Sequence, residues 1–414
     1  MVVSPNVLKK KLKWAMLLSI ITTTVMILIL HPLPTGGSKK IGVLKQRTHR
    51  DAYQEFRKTH PTGKIILYWT SFFDYDFGDI EGLRRVNLDH FHADLETKSF
   101  ASCPVNQCFT TNDRTLLNQT NALIFHSRDI NIADLPSHRL PHQRWIFYNL
   151  EPPVFTTFDN NLFDKVNTMF NWTMTYRKDS DVYHPYSVDP FFQLRNVIPD
   201  SEQLRHKKRK VAWFVSNCYP TSQRSEYVNE LNKHIEVDIF GKCGSNSCTD
   251  RPTCNHMLST DYKFYLAFEN SLCRDYVTEK FFNALVNDVV PIVYGGANYS
   301  SLISKDAFID INDFKSPREL ASYLNYLNSN ATAYQSYFHW RRRPASWREV
   351  PYQRRSFCQL CQMLHDKSLP SQSYLDLHSW WYDQSCTTTL RRSRAHSLQP
   401  LNYLLVIPTL AIRF

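Results

Sequence analysis

A chain of 414 residues, 43% apolar and 14% aromatic, has material for two domains and a sizeable core, which excludes a low-complexity chain. The formal net charge of +11 is divided among short runs such as RHKKRK (205–210), RRR (341–343) and RRSR (391–394). Each run reads by itself as a solvated face; as partners they suit anionic small ligands and acidic glycans, and no nucleic acid is expected.

In chain order, Lys9, Lys10, Lys11 and Lys13 precede WAMLLSIITTTVMILIL (14–30), which holds no charge. A cleaved secretory signal would have a shorter apolar run and a small-x-small site, and His31-Pro32-Leu33-Pro34 stands there instead. The reading is a signal-anchor: residues 1–13 cytosolic, 14–30 a single transmembrane helix, and the bulk lumenal by the lysine asymmetry. That orientation makes the protein single-pass type II, and the short span suits a thin early-secretory or Golgi membrane, with the Golgi the expected location. Residues 31–60, polar and without apolar periodicity, read as a stem. The ten cysteines fit a lumenal location, as do the glycosylation sequons at Asn118, Asn171, Asn298 and Asn330. Asn298 is the weakest sequon, because it falls in a loop close to the expected site.

KIILYWT (64–70), ALIFHS (122–127) and RWIFYNL (144–150) are short apolar strands of a first α/β domain over 61–200. After RHKKRK the pattern becomes regular through a second domain over 205–365. Strands are expected at 210–216, 236–241, 263–269 and 289–295, and helices at 222–235, 275–287 and 316–328. Alternation of this kind means a parallel sheet with crossover helices. Residues 366–414 form a C-terminal tail; its apolar stretch is too short to span a bilayer and receives no function.

Several motifs fail. PTGKI (61–65) lacks the glycine and hydroxyl of a P-loop and precedes its strand, and no G-x-G-x-x-G occurs. Asp74-Tyr75-Asp76 and Asp179-Ser180-Asp181 are literal D-x-D patterns, a short signature common by chance. Cys103, Cys108, Cys358 and Cys361 have a loose zinc-ligand form, but the wide gap between the pairs and an oxidising lumen favour disulfides.

In parallel sheets the ligand sits beyond the carboxyl ends of the strands. Two ends carry polar groups here. After WFVS come Ser216, Asn217 and Arg224; after YLAFE come Asn270, Tyr276, Glu279 and Lys280. A helix N-terminus attracts anions, and Arg224 and Lys280 would add full charges to make a diphosphate cradle. Glu279 could take ribose hydroxyls, and Tyr276 could offer a face or hydroxyl to a base. Taken singly, each has a plainer reading as a solvated helix face, a surface ion pair or a turn cap.

FYLAFENSLCRDYVTEKFFNAL followed by VPIVYGGANY resembles the signature of the α1,3-fucosyltransferases. So do WFVSNC…R, NWTMTYRKDSDV (171–182), NLEPP (149–153) and the late CQLC, in order from about residue 62 to 365. The resemblance implies two facing Rossmann-like domains of GT-B type, the second binding GDP-fucose. It implies transfer of L-fucose, with inversion, to an N-acetylglucosamine hydroxyl of a glycoprotein glycan. It assigns Lys280 and Arg224 to the diphosphate, Glu279 to the ribose, and Asn270 and Tyr276 to the donor. It supplies Glu151 of NLEPP as the general base that a single displacement needs. It also suggests that Cys358 and Cys361 bridge to Cys103 and Cys108. Arg and Lys can stabilise the leaving diphosphate without a metal, so no cofactor is required and a divalent ion is at most stimulatory. The competing expectations are a D-x-D metal-dependent glycosyltransferase centred on Asp74 and Asp76, and a catalytically silent lumenal lectin.

Overall fold

The computed structural model describes residues 50–73, 100–101, 103–156, 162–186, 198–248, 250–342, 352–383 and 385–387. The chain divides into a unit over 1–61, in which residues 50–59 are helical, and a unit over 62–414 that holds both sheets and the candidate site. The expected membrane span lies outside the described residues, as do Asp74 and Asp76. Among the described residues no helix is long and apolar enough to cross a membrane.

The first sheet has six parallel strands: β1 (Lys64–Tyr68), β2 (Cys108–Thr111), β3 (Ala122–His126), β4 (Arg144–Asn149), β5 (Trp172–Thr175) and β6 (Val182–Tyr183), in the order β2-β1-β3-β4-β5-β6. β3 is buried along its whole length, as a parallel strand covered on both faces must be, so it reads as a continuous apolar run. β2 and β5, CFTT and WTMT, were not legible because their hydroxyl-bearing residues break that run. A short helix, α1 (Leu162–Val166), buries Phe163 and Val166.

α2 (Ser201–His206) leads into the second sheet. β7 (Arg209–Phe214) is followed by α3 (Arg224–Leu231), β8 (Val237–Phe240), α4 (Arg251–Asp261) and β9 (Tyr262–Phe268). A two-residue strand, β10 (Leu272–Cys273), then leaves the sheet. α5 (Glu279–Val286), β11 (Val290–Tyr294), β12 (Ile309–Asp310), α6 (Pro317–Ser329) and α7 (Ala331–Ser336) complete this part. The order β12-β11-β9-β7-β8 is parallel throughout. α5 lays Phe281, Phe282, Ala284 and Leu285 against β9 and β11, and α6 packs on α3. The alternation expected from residue 210 to 328 is therefore present.

The boundary expected at residue 365 is corrected. α8 (Tyr352–His365) packs against β1 and β6 of the first sheet, and α9 (Leu377–Tyr382) packs against α1 and the turn at Pro153–Phe155. β13 (Cys386–Thr387) then pairs antiparallel with β10. The stretch expected to be a C-terminal tail thus supplies buried Leu377, Trp381 and Ser385, and Trp381 is fully buried.

The cysteines of the family-implied set pair as Cys103–Cys358 and Cys108–Cys361 and are not thiolate ligands. The first closes a separation of 255 residues, a restraint of about 5 kcal/mol in the chain-entropy picture. The second adds less, because the first has already closed nearly the same loop. Cys218–Cys243, Cys248–Cys254 and Cys273–Cys386 take the rest.

Candidate active site

β9 ends at Phe268, and the next residue, Glu269, is fully buried. Its carboxylate accepts from the Thr278 N–H at 2.8 Å and from the Thr278 hydroxyl at 2.9 Å; Lys280 Nζ lies 3.3 Å away. Lys280 also donates to Thr278 Oγ1 at 2.7 Å and stands 3.3 Å from the Glu279 carboxylate. Glu269 thus gathers the residues that open α5. This explains a correction: the helix starts at Glu279, not at Asp275 as expected. Asp275 has φ of +61°, a left-handed turn that helical backbone does not contain, and Glu269 holds Thr278 as the residue before the first helical one.

Burial alone would lower the Lys280 pKa. The Glu269 and Glu279 carboxylates outweigh burial and leave it raised, so the ammonium stays charged. Burial pushes the Glu269 carboxyl up, against the pull of Lys280 and the Thr278 hydrogen bonds.

Arg224, the first residue of α3, is buried over the Trp213 ring. It donates to the carbonyl oxygens of Phe268 at 2.6 Å and Asn217 at 3.0 Å, tying the loop after β7 to the end of β9. Its Nε and the side-chain oxygen of Asn270 are buried without a hydrogen-bond partner among the described residues. Unmet polar groups of this kind are costly unless a ligand or water meets them.

These side chains line a cavity of about 550 Å³ at the carboxyl edge of the second sheet. Ser216, Asn217, Arg224, Asn270, Glu279 and Lys280 all reach it, six of the seven expected donor residues. Gly241 (φ +95°) permits the ends of β7 and β8 to converge there, since a Cβ would lie 2.6 Å from the Val215 carbonyl oxygen. Sequence reading missed the other wall, formed by Phe214, Phe240, Tyr265 and the Cys248–Cys254 loop with Asn255. The start of α4 was nonetheless readable: Asp250 caps Thr253 N at 2.8 Å, and Pro252 follows in the first turn.

Tyr276 is the exception. It is 2% exposed, with the rings of Tyr176 and Tyr186 at 5.0 and 6.0 Å. It does not line the cavity, because the left-handed turn at Asp275 turns it into the core.

Glu151 stands two residues beyond β4, half-buried, its N–H donating to Asn149 Oδ1 at 2.9 Å. Its carboxylate has no hydrogen-bond partner among the described residues. Burial raises its pKa; Arg128 and Lys280 oppose this, and Glu279 and Glu269 add to it. That three residues of the α5 cluster act on this carboxyl puts Glu151 within electrostatic range of the cavity's charged end.

Both carboxylates of the second D-x-D are otherwise engaged. Asp179 pairs with Arg177 at 2.6 Å and Arg274 at 3.1 Å, and Asp181 accepts from Thr173 N and the Tyr374 hydroxyl, each at 2.8 Å. The sequon at Asn171 is also corrected. Its side chain is buried, accepting from Trp145 N at 2.8 Å and donating to the Gln372 carbonyl at 2.6 Å, which leaves no room for a glycan. Asn118 and Asn298 are exposed, and Asn330 caps α7 through Ala333 N.

Residues 61–187 match the family described as fucosyltransferase, N-terminal, and residues 204–380 match glycosyltransferase family 10 (fucosyltransferase), C-term. The chain is 35% identical to alpha-(1,3)-fucosyltransferase C of Drosophila melanogaster over 90% of its own length and 89% of that protein's. It is 39% identical to 4-galactosyl-N-acetylglucosaminide 3-alpha-L-fucosyltransferase 9 of Bos taurus, over 60% of this chain and 68% of that one. A crystal structure titled alpha1,3-fucosyltransferase matches with a TM-score of 0.50 at 16% identity, covering 74% of this chain and 91% of that one, a likeness of fold.

Proposed function

The chain belongs to the α1,3-fucosyltransferases of glycosyltransferase family 10, and from this we propose that it moves L-fucose from GDP-fucose to an N-acetylglucosamine hydroxyl of a glycoprotein glycan, with inversion. The observation that carries the reading is the cavity whose charged end joins Arg224, Glu279 and Lys280 and lies within electrostatic range of Glu151.

Glu151 accepts the proton as the acceptor oxygen bonds to C1 of fucose. The C1–phosphate oxygen bond breaks, and its electron pair leaves with GDP. A base with a raised pKa holds that proton better, and such proton transfer typically contributes ~10²–10⁴ in rate. Lys280 and Arg224 face the charge that develops on the diphosphate. The Asn270 side-chain oxygen and Arg224 Nε, both without partners among the described residues, are positioned to meet the donor. Glu279 serves the ribose. The two parallel sheets act as the two halves of a GT-B arrangement.

Pairing of every described cysteine supports an oxidising lumen, and with residues 14–30 as a signal-anchor the protein would be a Golgi enzyme of type II topology. Purified enzyme given GDP-fucose and a panel of glycans, with and without EDTA, tests the reading. Fucose transfer that survives EDTA is expected. Glycan binding without turnover, or activity abolished by EDTA, would overturn it, and the panel separates core from lactosamine-type acceptors.

A further inference from the structure

The described C-terminal residues touch both halves of the proposed site, through two attachments. At one end, the fully buried Trp381 donates from Nε1 to Thr156 Oγ1 at 2.7 Å. The same hydroxyl accepts from Asn149 Nδ2 at 2.8 Å, while Asn149 Oδ1 holds the Glu151 N–H at 2.9 Å. Thr156 itself donates to the Pro152 carbonyl at 3.3 Å. One buried hydroxyl therefore gathers both ends of the turn that presents Glu151, and Trp381 is the donor that comes from outside that turn.

At the other end, β13 pairs with β10, and Cys386 is bonded to Cys273. Arg274 N donates to the Ser385 carbonyl at 2.7 Å. These contacts fall on the loop between Glu269 and Lys280. Between the attachments, Ser385 Oγ donates to the Trp381 carbonyl at 2.6 Å and accepts from Arg177 Nη1 at 3.1 Å. The indole also stacks edge-on to Phe147 at 5.5 Å and packs on Tyr176 at 5.6 Å, which in turn touches Tyr276 at 5.0 Å. Gly296 lets the loop after β11 close over β10, where a Cβ would lie 2.7 Å from the Leu272 carbonyl carbon.

We propose that α9 and β13 form a strap that holds the Glu151 turn in register with the 269–280 loop, with Trp381 a positioning residue and Cys273–Cys386 the second attachment. The proposal rests on the reading of Glu151 as base and of that loop as donor holder. Neither Trp381 nor Cys386 lines the cavity, so the strap acts on the relative placement of two groups and not on donor contacts. A misplacement of about 1 Å can cost on the order of a hundredfold in turnover.

A mutant cycle on the purified enzyme tests this. Trp381→Phe keeps an aromatic ring, smaller than the indole, and removes the donor; Cys273→Ser/Cys386→Ser removes the covalent attachment. Each is expected to lower kcat, by roughly tenfold to a hundredfold. Trp381→Phe should leave the calorimetric Kd for GDP unchanged. Since either break frees the register, the combined variant should lose no more than the worse single change, a strong departure from additivity. Thr156→Val should reproduce the kcat loss, and Thr156→Ser, which keeps the hydroxyl, should restore it, so the idea stays testable if the cysteine variant fails to fold. Losses that multiply, an unchanged kcat in Trp381→Phe, or equal loss in Thr156→Val and Thr156→Ser would overturn the strap. Glu151→Gln is assayed alongside: full turnover there would remove the underlying base assignment, separately from any result on the strap.

Discussion

Two carboxylates stand just beyond the carboxyl ends of central strands, Glu269 after β9 and Glu151 after β4, and burial raises the pKa of both. Their surroundings differ. Glu269 is fully buried and accepts from Thr278 twice, with Lys280 beside it. Glu151 is half-buried, and among the described residues only its backbone N–H is held. A carboxylate whose acceptors are filled by its own protein is a framework group. One that is fixed by its backbone and left open at its oxygens can take a proton from something else. Position at a strand end does not separate the two roles; the hydrogen-bond inventory does.

Four substitutions can break or sharpen that contrast. The largest effect is expected from Glu151→Gln, with turnover down ~10²–10⁴. Its melting temperature should hold or rise, because a neutral isostere ends the cost of burying charge there. Lys280→Ala comes next. Loss of a charge-assisted contact of about 1.5–3 kcal/mol should weaken GDP binding by roughly tenfold to a hundredfold in calorimetry; unchanged affinity would sink the cradle. Glu269→Gln should act mainly on the framework, lowering the unfolding free energy by about 1–3 kcal/mol as the cluster loses its charge balance. If it melts like the wild type, the division drawn between the two carboxylates is wrong.

Near neutral pH the smallest effect concerns a buried group whose neighbours are neutral. His184 contacts Ser356 Oγ at 2.5 Å and the Tyr148 hydroxyl at 3.3 Å, and burial pushes its pKa down to about 3 from 6.5. The unfolded chain takes up this proton first. The contribution of His184 to stability is therefore complete above pH 6.5 and is lost as pH falls toward 3, by at most about 1.4 kcal/mol per pH unit. Denaturant titrations of His184→Gln at several pH values should lack that share of the acid dependence.

Much of the second sheet was legible because β7, β9 and β11 are apolar runs separated by amphipathic helices at regular spacing. The site residues followed from the rule that parallel sheets bind ligands at their carboxyl edge. Glu151 was different: nothing in its spacing distinguished a base from a turn carboxylate, and family resemblance supplied it. Tyr276 misled because a helix from Asp275 would have turned it outward, and no local pattern announces the positive φ at Asp275. The roles of Glu269, Thr156, Trp381 and Cys386 were illegible for a related reason. The last three depend on partners far away in sequence, 225 residues in the case of Trp381 and Thr156, and Glu269 depends on Thr278 and Lys280 across a left-handed turn that no local pattern announces.

The pH dependence of kcat/KM in the wild type and in Glu151→Gln tests the assignment most directly. The account predicts an acidic limb in the wild type at a pKa above the ordinary glutamate value of 4.5, because burial raises this carboxyl, and no such limb in the residual activity of Glu151→Gln. The same limb in both proteins would contradict it.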